Sequence, residues 1–240
     1  VPEQDGQQRR RPAGVDVVRI NSSHGTPDVR ETWIRRVLAV MTARADRHPG
    51  AVLVDLRGPR IRVCTLPGPL ELEAGRDVTF APEATAQPDE IPTTYEQLAR
   101  DVHPGATILL DDGLLRVDVT GVRDDRVVGR VRFGGQLRSN KGINLPGVEV
   151  SAPPVSERDA EEVERAVAAG ADFIAMSFVR RREDLEALRR LVPPHVRLIA
   201  KIEKDTALRH LDGILAASDA IMVARGDLGV ELPFEEVPLV

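Results

Sequence analysis

The chain of 240 residues contains one cysteine, Cys64, so no internal disulfide can form and a reducing cytoplasm fits. It has no apolar run near the roughly 18 residues that span a bilayer, so no membrane partner is expected. Its first residues, Val1 to Arg11, are polar and basic and lack the apolar core of a signal peptide. Positive charge is in deficit: 33 Lys and Arg stand against 38 Asp and Glu, for a net charge of -5. With no long basic block, nucleic-acid binding by general electrostatics is disfavoured, although a local cluster can still hold a small anion. Lysine itself is scarce. Lys141, Lys201 and Lys204 stand among many arginines, which singles them out, with chance retention the plain explanation for Lys204. Hydrophobic content of 42% and 30% charged residues are ordinary for a globular chain, long enough for one sizeable core plus a small appended domain.

Three regions differ in pattern. In residues 1–58, Val15 to Ile20 and Ala51 to Asp55 read as strands around a helix from Arg30 to Arg47, with Ile34, Val37, Leu38 and Met41 on one stripe. The stretch before Gly14 is the one candidate for disorder. Residues 59–150 carry short alternating runs, such as Leu70 to Leu72 and Val127 to Phe133. Turn signals at Pro67-Gly68, Gly75, Asp112-Gly113, Asp124-Asp125 and Gly134-Gly135 punctuate them. Only Thr94 to Asp101 reads as a helix, so a small all-β domain is expected. Residues 151–240 return to strand and helix. Ser156 to Asp159 caps a helix that closes before Gly170, then come a strand from Phe173 to Phe178 and a helix from Glu183 to Leu191 with Leu185, Leu188 and Leu191 inward. A strand from Arg197 to Ile202, a helix from Thr206 to Ala217 and a strand from Ala220 to Ala224 follow. This alternation implies a parallel sheet, doubly wound or a (β/α) barrel, interrupted by an inserted β domain.

In such folds catalytic side chains sit at the carboxyl ends of strands, and four strand ends here carry polar residues. Alternation puts Arg19, Asn21 and Ser23 on one face with Val15 and Val17, polar at the top. Arg19 there could grip a phosphate or carboxylate, or the strand could simply run into a solvated loop. Asp55 closes the next strand, before a turn at Gly58-Pro59. Lys201 and Glu203 share a face, yet neighbours two apart on one strand are poorly placed to pair, so partners from elsewhere are expected: a metal for Glu203, a substrate anion for Lys201. Asp227 follows Ala224 and Gly226, where a second carboxylate could meet Glu203 and build a Mg²⁺ site, with free amides at Gly226 and Asp227 for an anion. His24, Trp33 and Cys64 read as structural or packing residues.

The motifs Arg-Ile-Asn-Ser-Ser-His-Gly (19–25), Asp-Leu-Arg-Gly-Pro-Arg-Ile-Arg (55–62), Leu-Asp-Asp-Gly (110–113), Lys-Gly-Ile-Asn-Leu-Pro-Gly (141–147), Ser-Phe-Val-Arg (177–180), Lys-Ile-Glu (201–203) and Ile-Met-Val-Ala-Arg-Gly-Asp-Leu-Gly-Val-Glu (221–231) resemble pyruvate kinase signatures in that family's order, from about Ala13 to the end. The resemblance implies an α/β fold: part of a TIM (β/α)8 barrel of the phosphoenolpyruvate/pyruvate type, with residues 59–150 as an inserted β-barrel lid. It implies phosphoryl transfer from phosphoenolpyruvate to ADP, giving pyruvate and ATP in glycolysis. Arg19 would bind the transferring group and Lys201 would stabilise charge on it and on the enolate. Glu203 and Asp227 would hold Mg²⁺ or Mn²⁺, Gly226 would contact the substrate carboxylate, and Arg62 and Lys141 would contact the nucleotide phosphates. Asn21, Ser23, Asp55 and Leu56 match the potassium site of many members. Here Leu56 replaces a threonine and Arg60 a glutamate of the potassium-using pattern, so potassium independence is expected.

Full-length members of the family are homotetramers. By this resemblance the sequence holds five of eight barrel strands. Val1 to Pro12 match nothing in the family, and the family's later strands, a catalytic threonine and a carboxyl-terminal domain follow the point where the sequence stops. The chain alone is therefore expected to be poorly stable and nearly inactive. A Mg²⁺-dependent aldolase or lyase of the same barrel group, or a non-catalytic remnant, are the competing readings.

Overall fold

The computed structural model describes residues 15–43, 50–233 and 235–239. The candidate disordered stretch before Gly14 and the end of the first helix as read from the sequence lie outside them. The chain opens with β1 (Val17–Asn21), α1 (Pro27–Thr42) and β2 (Ala51–Asp55). Thr26 caps α1 and Pro27 occupies its first turn, where a missing N–H costs nothing. Ile34 and Met41 are buried on the expected stripe, and Val37 and Leu38 pack against the core that holds Ile34.

The middle segment contains β3 (Leu70–Leu72), β4 (Asp77–Pro82), β5 (Ile91–Thr93), α2 (Leu98–Asp101), β6 (Thr107–Leu110), β7 (Leu115–Arg123), β8 (Arg126–Phe133), β9 (Gly135–Leu137) and β10 (Ile143–Asn144). A six-stranded sheet in the order β10-β6-β7-β8-β4-β5 and the pair β3-β9 enclose their own core, centred on Phe80, Ile108, Leu110, Val117, Val127 and Leu137. The helix expected from Thr94 is shorter and begins at Leu98. Asp111, Asp112 and Gly113 are three successive left-handed residues, a path open to Asp and Gly at little cost.

The last segment holds α3 (Glu157–Ala169), β11 (Phe173–Met176), α4 (Arg182–Arg189), β12 (Arg197–Ile202), α5 (Asp205–Arg209), α6 (Leu211–Ala217), β13 (Ala220–Val223) and α7 (Arg225–Glu231). Ser156 Oγ accepts from the Asp159 amide at 3.1 Å, and Gly170 closes α3 at φ 99°, as the sequence pattern requires. The single helix expected over Thr206 to Ala217 is two helices, broken where His210 leaves helical geometry and Gly213 weakens the following turn. Leu191, expected inward, is 47% exposed because α4 ends at Arg189. The strand expected to reach Phe178 stops at Met176, and Phe178 turns into the left-handed region at φ 57°.

Strands β1-β2-β11-β12-β13 form one parallel sheet in that order, an α/β arrangement that is part of a barrel. Its helix-facing side buries Ile20, Val52, Val54, Ile174, Leu198 and Ile202 under α1, α3, α4 and α6. The opposite side carries the smaller cluster Leu53, Ala175 and Ile199. Among the described residues β1 and β13 have no outer neighbour, and Val17, Ile221 and Val223 are exposed there. No helix of the described residues is long and apolar enough to cross a membrane.

Two polar fixtures hold the segments in place. Arg30, almost wholly buried on α1, pairs with Glu162 of α3 through Nε at 2.6 Å and also through Nη2. Its Nη1 donates to the carbonyls of Gly25 (2.7 Å) and His24 (3.1 Å), which fixes the loop after β1. Arg180, after β11, donates to the carbonyls of Val150 and Ala152 and to Asp184, tying the return from the middle segment to the parallel sheet.

Candidate active site

The parallel register brings the polar strand ends side by side. Asn21 stands opposite Asp55, Asp55 opposite Ala175, and Lys201 opposite Met222. Arg19 reaches across from β1 and donates from Nε (2.8 Å) and Nη2 (2.5 Å) to Asp55 Oδ2. Lys201 Nζ lies 3.1 Å from Asp55 Oδ1, 2.7 Å from Ser177 Oγ and 2.7 Å from Glu203 Oε1. The other oxygen of Glu203 accepts from the Phe178 amide at 2.7 Å. Asp55, Lys201 and Glu203 are buried, whereas half of the Arg19 side chain faces solvent. A continuous line of opposite charges thus runs from an exposed guanidinium to a buried carboxylate.

Lys201 and Glu203 pair closely, against the expectation from strand alternation. β12 ends at Ile202, so Glu203 has left the pleat, and the Phe178 amide turns its carboxylate back toward the lysine. The same reason corrects Ser23. β1 ends at Asn21, whose Oδ1 accepts from the Ser23 amide at 2.9 Å, so Ser23 sits in a turn and not on the strand face. Its hydroxyl is buried without a partner.

Burial pushes the Glu203 carboxyl up from its ordinary range. Lys201 and the Phe178 amide oppose that push, and the charge of Asp227 adds to it. Asp227 lies in the first turn of α7 and is itself exposed. A buried Glu203 and an exposed Asp227, each with lone pairs to spare, are donors of the kind a hard divalent cation takes while it keeps waters. The donor set therefore fits Mg²⁺. Among the described residues there is no group of three or more His, Cys, Asp or Glu suited to a metal. Gly226 beside this pair has no protein atom within 4 Å of where a Cβ would stand, so packing does not demand a glycine there.

Next to this line opens a cavity of about 400 Å³ between the β-rich middle segment and the parallel sheet. Its walls include Arg60, Arg62, Asp111, Asp112, Lys141, Phe178, Arg180, Lys204 and Asp227, so Arg62 and Lys141 share one space with Asp227. Lys141 Nζ pairs with Asp111 Oδ1 at 2.7 Å, and Arg62 Nη1 donates to the Asn140 carbonyl at 2.6 Å. Leu56 is buried in the core, and its carbonyl accepts from Ser177 Oγ at 2.8 Å. Trp33, read as a packing residue, is partly exposed and borders a shallow groove with Arg19 and His24. Cys64 is buried as expected.

Three participants escaped the sequence reading. Ser177 and Arg180 lie in a quoted motif but carry no residue-level signal of what they touch. Lys204, set aside as chance, pairs with Glu231 at 2.7 Å on the cavity wall; only its rarity as a lysine marked it.

The family profile described as "Pyruvate kinase, barrel domain" matches residues 4–240, beginning earlier than the motifs at Ala13 indicate. Proteins named pyruvate kinase are similar along nearly the whole chain. The one from Bacillus licheniformis is 42% identical over 236 residues, covering 95% of this chain and 40% of that protein. The one from Mycobacterium intracellulare is 44% identical over 235 residues, covering 95% and 49%. The one from Corynebacterium efficiens is 41% identical over 248 residues, covering 100% and 51%. The chain thus spans about half the length, or less, of these relatives. With a match over this extent, the chain belongs to the pyruvate kinase family.

Proposed function

We propose that this chain carries the phosphoenolpyruvate-side and lid parts of an enzyme that moves a phosphoryl group from phosphoenolpyruvate to ADP. The observation that carries the reading is the buried Lys201 ammonium touching Glu203, with Asp227 near enough to raise the Glu203 carboxyl further. In the transfer, the bond between phosphorus and the enol oxygen breaks and a bond to the terminal ADP oxygen forms. The leaving enolate then takes a proton at carbon to give pyruvate. Fixed positive charge at the reacting group is the main lever available to a protein in this chemistry.

Lys201 supplies that charge in a buried setting, where it acts more strongly than in water. Arg19, half exposed and donating twice to Asp55 Oδ2, is placed to grip the phosphoryl oxygens. Glu203 and Asp227 would hold a Mg²⁺ or Mn²⁺ ion, which when bound neutralises phosphate oxygens. The Gly226 backbone would meet the substrate carboxylate, and Arg62 and Lys141 would meet the nucleotide phosphates. Residues 59–150 would act as a lid that excludes water from the phosphoryl group, with residues 1–58 and 151–240 as the barrel parts. Asp55, whose oxygens already face Arg19 and Lys201, needs no further monovalent cation, and Arg60 adds positive charge to the adjoining cavity wall. We therefore read Asn21, Ser23, Asp55 and Leu56 as a potassium-type site that is not used. A cytoplasmic setting accords with the reading.

ADP-dependent thermal stabilisation in the presence of Mg²⁺, together with pyruvate formation by the intact protein in a lactate dehydrogenase-coupled assay, tests the proposal. Stabilisation and turnover are expected. A protein that binds phosphoenolpyruvate but ignores ADP would point to a lyase or aldolase and end the kinase reading.

A further inference from the structure

We propose that Lys204 is a further phosphate-binding residue, held in place by Glu231, for the polyphosphate of a nucleotide in the cavity under the β-rich segment. The inference rests on the nucleotide reading above and adds a group to it. Lys204 Nζ donates to Glu231 Oε1 at 2.7 Å, with 15% of the lysine side chain and 1% of the glutamate side chain exposed. An ammonium has three donors, and among the described residues this is the only acceptor found for it. The lysine lines the same cavity as Arg62, Lys141 and Asp227, so its remaining donors can serve an anion there.

A plain structural role accounts poorly for the pair. Burying two charges is often no better for stability than burying two apolar groups of the same size. Here the burial is also incomplete in its bonding: Glu231 Oε2 is buried with no partner, so only the bonds to Oε1 offset that carboxylate. A glutamate left in this state holds the ammonium tightly and keeps it from swinging into solvent. An anion that arrives meets a cation already in position, and little side-chain freedom remains to be lost on binding.

Glu231 also reaches the other wall of the cavity. Asn144 of β10 donates to the same Oε1 at 3.4 Å. Glu231 closes α7, the helix whose first turn carries Asp227. One carboxylate therefore joins the candidate metal ligand's helix, the candidate phosphate lysine and the β-rich segment that covers the cavity. Lys204 and Asn144 thus share one acceptor atom, with the shorter bond going to the lysine.

The test is calorimetric titration of the intact protein with ADP, with inorganic tripolyphosphate and with adenosine. It compares wild type, Lys204→Met, Lys204→Arg and Glu231→Gln, each checked for native circular dichroism. Lys204→Met is expected to weaken ADP and tripolyphosphate about tenfold or more, the scale of a lost charged hydrogen bond, and to leave adenosine unchanged. Lys204→Arg is expected to stay within about threefold of wild type, because the charge remains. Glu231→Gln is expected to bind ADP as well as wild type or better, since its amide oxygen can still accept from the lysine while a negative charge is gone. Unchanged ADP affinity in Lys204→Met overturns the inference. So does equal weakening of adenosine and ADP, or a Glu231→Gln loss as large as that of Lys204→Met; both mark a purely structural pair. Wild-type protein that binds tripolyphosphate through Lys204 but not ADP would refute the nucleotide reading and keep the anion site. Binding of neither would refute both.

Discussion

Lys201 and Glu203 stand 2.7 Å apart at the end of β12, paired by a backbone that leaves its strand between them. The turn at Phe178, in a left-handed conformation that bulky residues avoid, supplies the amide that completes the arrangement. Strain of this kind is tolerated where surrounding contacts overdetermine the backbone, and such sites cluster with function.

Lys201→Met should therefore damage two properties at once. Asp55 and Glu203 would be left buried without their shared ammonium, at a stability cost of about 3 kcal/mol. The loss in kcat should be about 100- to 1000-fold, the scale of removing one fixed charge-stabilising donor. Urea unfolding and a coupled assay of the intact enzyme read the two effects. A variant that turns over at the wild-type rate would remove Lys201 from the chemistry.

Potassium independence is the outcome we expect from the same cluster. Asp55 already accepts from Arg19 and faces Lys201, and Arg60 stands on the neighbouring cavity wall. Replacing potassium by sodium or tetramethylammonium should leave most of the activity. Loss of most turnover in tetramethylammonium would show that a diffusible cation is needed after all.

The pair Arg30 and Glu162 offers a test of folding without touching the chemistry. Arg30→Met should cost about 3 to 5 kcal/mol in thermal or urea unfolding, because Glu162 would keep its charge with only the Ser22 hydroxyl, at 3.3 Å, to meet it. Arg30→Met combined with Glu162→Met should recover most of that loss. A double variant as unstable as the single one would mean that the backbone bonds from Arg30 to His24 and Gly25 matter more than the charge pair.

Cys64 gives a pH dependence of known sign. Burial, helped by Glu83, pushes its thiol from 9.0 up to about 11. A raised folded value favours the protonated form in the native state. The resulting contribution to stability is present below about pH 9 and is lost as pH rises toward 11. Cys64→Ala should flatten that part of the stability profile, and the native thiol should react with an aromatic disulfide at pH 8 only at the rate of unfolding. Rapid labelling of folded protein would contradict the burial.

The parallel strands were legible because period and composition agree. Ala51 to Asp55 and Arg197 to Ile202 appear where the apolar runs place them, and Ser156 and Gly170 bracket α3 as their side chains dictate. The motif resemblance reached the family, and the family match confirms it. What the sequence concealed depends on chain direction beyond the last strand residue. Alternation holds only while the backbone is pleated, so it misplaced Ser23 and separated Glu203 from Lys201. Ser177 and Lys204 were hidden for a second reason: their partners, Asp55, Leu56 and Glu231, are distant in sequence and meet them only when strands and cavity walls assemble.

The charges at the strand ends and those on the neighbouring cavity wall are unevenly divided. Two positive groups, Arg19 and Lys201, sit with three negative ones, Asp55, Glu203 and Asp227. The strand ends therefore carry an excess of negative charge, whereas the adjoining cavity wall sets five cations, Arg60, Arg62, Lys141, Arg180 and Lys204, against Asp111, Asp112 and Asp227. A divalent ion held by Glu203 and Asp227 would offset the excess at the strand ends. A polyanion would thus meet attraction on the wall and repulsion at the strand ends until a cation is seated there.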